Sequence, residues 1–181
     1  MPRYLVVPGW NGSGPNHWQS HLEQSLAGTT RVEMSDWQAP NPAHWVSTLE
    51  RYIAQGEPPI VIGHSLGCVA VAHAVANGAR IRAALLVAPA DVERPNCARV
   101  LQTFAPIPKP RFNVPVTTVG SDNDVHASIE KVRDLSKAWG AELVVVPGGG
   151  HLNVASGHGP WPLAQLLAQQ LASVTHDARV A

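Results

Sequence analysis

Ile60-Val61-Ile62-Gly63-His64-Ser65-Leu66-Gly67-Cys68-Val69-Ala70 decides how this chain folds. Three β-branched apolar residues make a buried strand, and the small apolar residues after Gly67 make a helix. Gly-x-Ser-x-Gly therefore stands on a strand-to-helix turn. A Cβ at Gly63 or Gly67 would meet the neighbouring strand or helix, which is why glycine is needed at both. The turn lifts the Ser65 hydroxyl clear of the sheet and aims the first amides of the helix at whatever reacts with it. The pentapeptide alone also describes an ordinary glycine-rich turn; the strand before it and the helix after it make it a nucleophile elbow.

Outward from the elbow, the chain alternates short apolar runs with helical patterns. Arg3 to Pro8 reads as a first buried strand, followed by the loop Gly9-Trp10-Asn11-Gly12-Ser13-Gly14-Pro15 and a helix from about Asn16 to Leu26. Thr30 to Met34 is a weak second strand, and Pro42 opens a helix to about Ala54. Pro59 to Ile62 is the strand of the elbow, and the helix after it runs from Leu66 to about Ala76, closed by Asn77-Gly78. Ile81 to Ala88 has the unbroken apolar character of a central parallel strand. Pro89 to Pro115 is a proline-rich excursion. Val114 to Val119, a helix from about Ser128 to Trp139, Glu142 to Val146 and a helix over roughly Pro162 to Val174 complete the pattern, with a frayed tail expected after it.

Six strands alternating with helices predict an α/β fold with a mostly parallel six-stranded sheet, in a single domain spanning residues 1–181. Such sheets bind ligands beyond the carboxyl ends of their strands, where strand order reverses. Net charge is zero and charged residues are 14% of the chain, so no basic surface for nucleic acid is indicated. Cys68 and Cys97 follow no metal or redox spacing and form no disulfide framework. No apolar run approaches the ~20 residues of a membrane span, and the first eight residues lack a leader pattern, so a cytoplasmic protein with no membrane partner is expected.

A serine hydroxyl needs a base to attack a carbonyl, and the base needs an acid to fix its tautomer. In α/β-hydrolases the acid follows a later strand and the histidine a loop beyond the last, in the order Ser, Asp, His. Asp124 and His151 meet that demand for Ser65. Asp122 shares the Asp124 loop, and turn chemistry alone accounts for either one; Asp124 is favoured as the acid. Among nine histidines the rivals each have a plainer role. His126 precedes the last strand, His64 lies inside the elbow with its ring directed away, and His17 and His21 read as a solvated helix face rather than a metal pair. His73 and His176 read as structural or exposed, and His158 as a neighbour of the site. The backbone amides of Leu66 and Trp10 are the expected oxyanion donors. Trp37 and Trp161, in loops at the functional end, are candidates for an apolar pocket, with completion of the core as the alternative. No cofactor or metal is called for.

Pro8-Gly9-Trp10-Asn11-Gly12-Ser13-Gly14 with His17-Trp18, Asp36-Trp37 followed by Pro40, Gly63-His64-Ser65-Leu66-Gly67-Cys68, Ser121-Asp122-Asn123-Asp124, Trp139-Gly140, and Gly150-His151-Leu152-Asn153 leading to Gly157-His158-Gly159-Pro160-Trp161-Pro162 together resemble one family. It is the small serine hydrolase family that includes retinoblastoma-binding serine hydrolase and the bacterial YdeN-like proteins. The resemblance covers nearly the whole chain. It implies a compact three-layer α/β-hydrolase fold with no large lid and a triad carried onto Ser65, Asp124 and His151. The family's acid is the Asp after Asn in this loop; Val125 stands where many members have Pro. The resulting expectation is a metal-independent serine hydrolase acting on a small-molecule ester or amide through an acyl-enzyme. Two alternatives keep the same motif: a binding module with a relic triad, and an acyltransferase or perhydrolase.

Overall fold

The computed structural model describes residues 1–180, with side chains through Val174. Six strands, β1 (Tyr4–Val7), β2 (Thr29–Arg31), β3 (Ile60–His64), β4 (Ala83–Val87), β5 (Val116–Ser121) and β6 (Glu142–Val146), form one sheet in the order β2-β1-β3-β4-β5-β6. Every pairing is parallel. The helices are α1 (Trp18–Ser25), α2 (Pro42–Ile53), α3 (Leu66–Ala76), α4 (Arg99–Gln102), α5 (Ile129–Trp139) and α6 (Pro162–Val180).

Side-chain alternation along the strands divides the core into two layers. Leu5, Val7, Val61, Ala84 and Leu86 face one way and pack with α2, α3 and the Leu135 and Trp139 side of α5. Tyr4, Val6, Ile60, Ile62, Leu85 and Val87 face the other way and pack with α1 and α6. The three-layer α/β sandwich expected from the sequence is thus formed, and no large lid domain interrupts it. β3 and β4 are buried along their whole lengths, whereas β6 at one edge is half exposed.

Some boundaries differ from the sequence reading for local reasons. Helix α1 begins at Trp18 because His17 is its N-cap, with Nδ1 accepting from the Gln19 amide at 3.2 Å. His17 is buried rather than part of a solvated face. Strand β2 ends at Arg31, earlier than predicted, and Val32 and Met34 turn into the core instead. Helix α6 continues past Val174 to Val180, where a frayed tail was expected, and the side chain of His176 lies outside the described residues. The proline-rich excursion after β4 holds the short helix α4.

Strand order reverses between β1 and β3: β2 lies on one side of β1 and every later strand on the other. The loops after β1 and β3 consequently open a crevice at the carboxyl edge of the sheet. Ser65 stands in it.

Candidate active site

Ser65 has φ 55° and ψ −120°, a backbone conformation that side-chain-bearing residues seldom adopt, held by its amide donating to the Val87 carbonyl at 3.0 Å. Close packing around the turn enforces it. A Cβ on Gly67 would lie 2.2 Å from the Val7 carbonyl oxygen, and one on Gly63 would lie 3.1 Å from the Cys68 amide nitrogen. Gly9 is pressed against the other side, where a Cβ would come within 2.8 Å of the Ser65 Cβ and 3.4 Å of the Leu66 nitrogen.

His151 follows β6 and reaches back over the elbow. Its Nε2 lies 2.9 Å from Ser65 Oγ, and its Nδ1 lies 2.8 Å from Asp124 Oδ2. With Nδ1–H donated to the carboxylate, Nε2 is left as the acceptor for the serine proton. The Asp124 side chain is almost fully enclosed, and its Oδ1 accepts from the His126 amide at 2.8 Å. The three residues named from the sequence are therefore brought together in one hydrogen-bonded line.

The Asp122 and Asp124 alternatives separate cleanly. Asp122 Oδ1 accepts from the Gly148 amide at 2.7 Å, and Asn123 Oδ1 accepts from the Gly150 amide at 2.7 Å. These two side chains tie the loop after β5 to the loop that presents His151. Asp122 shapes the support and Asp124 touches the imidazole.

At the start of α3, the Leu66 amide is one of the helix N–H groups with no partner inside the helix. Gly9, the residue before Trp10, packs on the elbow next to this amide. Trp10 is 38% exposed and its indole Nε1–H donates to the Gln38 carbonyl at 3.0 Å, which fixes the loop that carries its amide.

Two hollows meet at Ser65. One, of about 240 Å³, is lined by Gly12, His17, His64 and Ala155 among others; the second, of about 300 Å³, is walled by the excursion after β4 through Ala90, Arg94, Ala98 and Leu101. Trp10, Ser65, His151 and Asn153 belong to both. A larger hollow of about 780 Å³, at the far ends of α2 and α3 near Ile53 and Ala79, lies away from the strand ends that carry the triad. Trp37 and Trp161 line neither hollow at Ser65. Trp37 stacks edge-on against Trp45 in the core, and Trp161 against Trp18 and His158 beside α1 and α6. The pocket expected from these two tryptophans is not formed at Ser65: Trp37 packs on the core, Trp161 lines a separate hollow with Trp18 and Leu22, and the walls of the site come from the excursion and the loops after β1 and β6.

Three histidines pack in and around His151. Ring centroids of His64 and His126 lie 5.0 and 4.3 Å from that of His151, and His17 lies 4.9 Å from His64. The His64 ring is thus not directed away from the site: it lies beneath the base. His126, set aside in the sequence for preceding the last strand, stands beside His151 because the loop after β5 folds back over the strand ends. Burial, with His151 and His17 nearby, holds His64 well below the usual imidazole range. Burial, with the Arg31 guanidinium next, pushes His17 down to about 4. Burial also lowers His126 and His158. Burial and the neighbouring rings disfavour the charged forms of His17, His64 and His126. Among the described residues no group of three or more His, Cys, Asp or Glu side chains is placed to hold a metal ion, and no helix is long and apolar enough to cross a membrane.

Comparison with known proteins gives the family and the fold. Residues 4–170 match the family described as Serine hydrolase. A protein described as a YdeN-like hydrolase from Pectobacterium atrosepticum is 31% identical, with a TM-score of 0.84 over 97% of this chain and 92% of that one. The ydeN gene product of Bacillus subtilis is 20% identical, with a TM-score of 0.78 over 96% of this chain and 100% of that one. Est1E from Butyrivibrio proteoclasticus, solved with ferulic acid bound, shares the fold at 16% identity, with a TM-score of 0.72 over 100% of this chain and 90% of that one. No curated protein matches significantly.

Proposed function

This chain belongs to the serine hydrolase family, and from that premise we infer that it cleaves a small ester or amide through an acyl-enzyme on Ser65. The observation that carries this reading is the unbroken line from Ser65 Oγ to His151 Nε2 at 2.9 Å and from His151 Nδ1 to Asp124 at 2.8 Å. Ser65 Oγ attacks the carbonyl carbon while His151 takes its proton. The charge that forms on the carbonyl oxygen is met by the amides of Leu66 and Trp10. Asp124 stabilises the imidazolium, which then returns the proton to the departing alcohol or amine. Water repeats the sequence against the acyl group, and Ser65 is restored.

The elbow's strained serine supports this role, because the tight turn leaves Oγ exposed at the sheet edge with a free helix amide beside it. The test is labelling with a fluorophosphonate probe alongside turnover of 4-nitrophenyl acetate. Wild-type protein is expected to label and to turn over. Ser65→Ala should abolish both, and His151→Ala should slow both by several orders of magnitude. Turnover that survives Ser65→Ala would overturn the mechanism. Wild-type protein that neither labels nor turns over would favour a binding module with a relic triad.

A further inference from the structure

We propose that the hollow on the α4 side of Ser65 selects an ester or amide bearing a carboxylate, and that Arg94 is the residue that binds it. The proposal rests on the serine hydrolase reading above and adds the charge of the substrate to it.

Arg94 lines the hollow of about 300 Å³ that also contains Ser65 and His151. Its Nε is buried with no hydrogen-bond partner, and its Nη2 lies 3.3 Å from Nδ1 of His126, the ring that packs against His151. A guanidinium keeps its charge and offers five donors in a planar fork. Burying one of those donors unpaired is costly, and an anion in the hollow would remove the cost.

The acids nearby do not supply that anion. Asp91 accepts from the Glu93 amide at 3.1 Å and pairs with Lys131 at 3.3 Å. Glu93 accepts from the Ile107 amide at 2.9 Å and pairs with the same lysine. Lys131 thus engages both carboxylates, and no ion pair among the described residues includes Arg94. On its other side, Nδ1 of His126 accepts from the guanidinium at 3.3 Å, and burial disfavours the charged form of that ring. Ala90, Ala98 and Leu101 give the hollow an apolar side, and its polar lining comes from Asn11, Asn153 and Asp91, whose carboxylate is held by Lys131. A planar carboxylate accepting two parallel bonds from the fork fits this arrangement. The hollow lies at the small end of ligand sites, so only a short chain separates the carboxylate from the reacting carbonyl.

The experiment compares kcat/KM for two pairs of esters on the full chain. Mono-4-nitrophenyl succinate against its methyl ester places the charge on the acyl side; 4-acetoxybenzoate against its methyl ester places it on the leaving group. Wild-type protein is expected to favour the charged member of one pair by roughly 10- to 100-fold, the worth of a charge-assisted hydrogen bond. Arg94→Gln should collapse that ratio toward one, and Arg94→Lys should keep part of it. Equal rates within both pairs for wild type would overturn the proposal while leaving the serine hydrolase reading intact. A wild-type preference that persists in Arg94→Gln would overturn the role of Arg94. Failure of every ester, with no probe labelling of Ser65, would overturn the hydrolase reading and this proposal with it. The wild-type comparison stands even if a variant does not fold.

Discussion

His64 donates its Nε2–H to the backbone carbonyl of His151 across 3.0 Å. The residue before the nucleophile thereby holds the main chain of the base, 87 positions later in the sequence. Because β3 and the Gly149–His151 loop belong to distant parts of the chain, this contact sets the Ser65–His151 separation from underneath. The ring is buried, and that burial disfavours its charged form.

Removing that donor should therefore slow chemistry more than binding. His64→Phe, which keeps an aromatic ring in the site, is expected to lower kcat by about 10- to 100-fold, the scale of a misplaced catalytic group. KM should change little. His64→Gln, which retains an N–H, should recover part of the rate. Steady-state kinetics on a 4-nitrophenyl ester distinguish these outcomes; a His64→Phe enzyme with wild-type kcat would show that the contact does not position the base.

The two aspartates of one loop should part company under mutation. Asp124→Asn reverses the hydrogen-bonding demand on His151 Nδ1 and stabilises the wrong tautomer, so kcat is expected to fall by about 10⁴-fold, as in the serine protease case from which that magnitude comes. Asp122→Ala removes an acceptor for the Gly148 amide and is expected to cost about 1 kcal/mol of stability with kcat within an order of magnitude. Parallel measurement of kcat and denaturant midpoint tests both. Equal kinetic damage from the two variants would contradict the assignment.

Much of this was legible in the sequence, and the rest was not for definite reasons. A strand end, a turn and a residue order point to Ser65, His151 and the loop of Asp122 and Asp124, and the family resemblance implies Asp124 within that loop. The walls of the site are not found in this way. Trp37 and Trp161 lie close in sequence to functional loops, but whether an indole faces a hollow or a core depends on tertiary packing that no local pattern reports. His126 was set aside because it precedes β6, yet the loop after β5 folds back and brings its ring within 4.3 Å of His151. Arg94 lies in a stretch without periodicity, and what marks it is tertiary: a buried Nε with no partner, beside acids that pair with Lys131 instead.

The glycines of the elbow differ in how much they tolerate. Gly67→Ala would place a methyl carbon 2.2 Å from the Val7 oxygen at the end of β1 and 2.7 Å from the Pro8 oxygen just beyond it, both backbone atoms. Neither can move without displacing the loop after β1 from the elbow. A loss of about 3 kcal/mol or more is expected, at the upper end of overpacking costs. Gly14→Ala, in the same loop system but with no atom within 4 Å of its added carbon, should stay within about 0.5 kcal/mol of wild type. Urea denaturation of the pair measures the difference, and similar midpoints would refute the packing argument.

Acidification should destabilise the fold through His17. Its imidazole is buried at the N-cap of α1, faced by Arg31, His151, His158 and His21, and is pushed down from 6.5 to about 4. The unfolded chain therefore binds a proton before the folded one does. Stability from this group is unaffected above pH 6.5, falls as pH drops below it, and levels off below about 4. Between pH 7 and pH 5 the loss amounts to about 2 kcal/mol, or roughly 4–8 °C in Tm for a chain of this size. His64, lowered in the same direction, adds to the trend. His17→Asn keeps an acceptor for the Gln19 amide and removes the titrating group. Its Tm should be lower than wild type at pH 7 but should fall less on going to pH 5. Thermal melts at the two pH values decide the matter: if the variant loses as many degrees as wild type, His17 is not the group that couples protonation to unfolding.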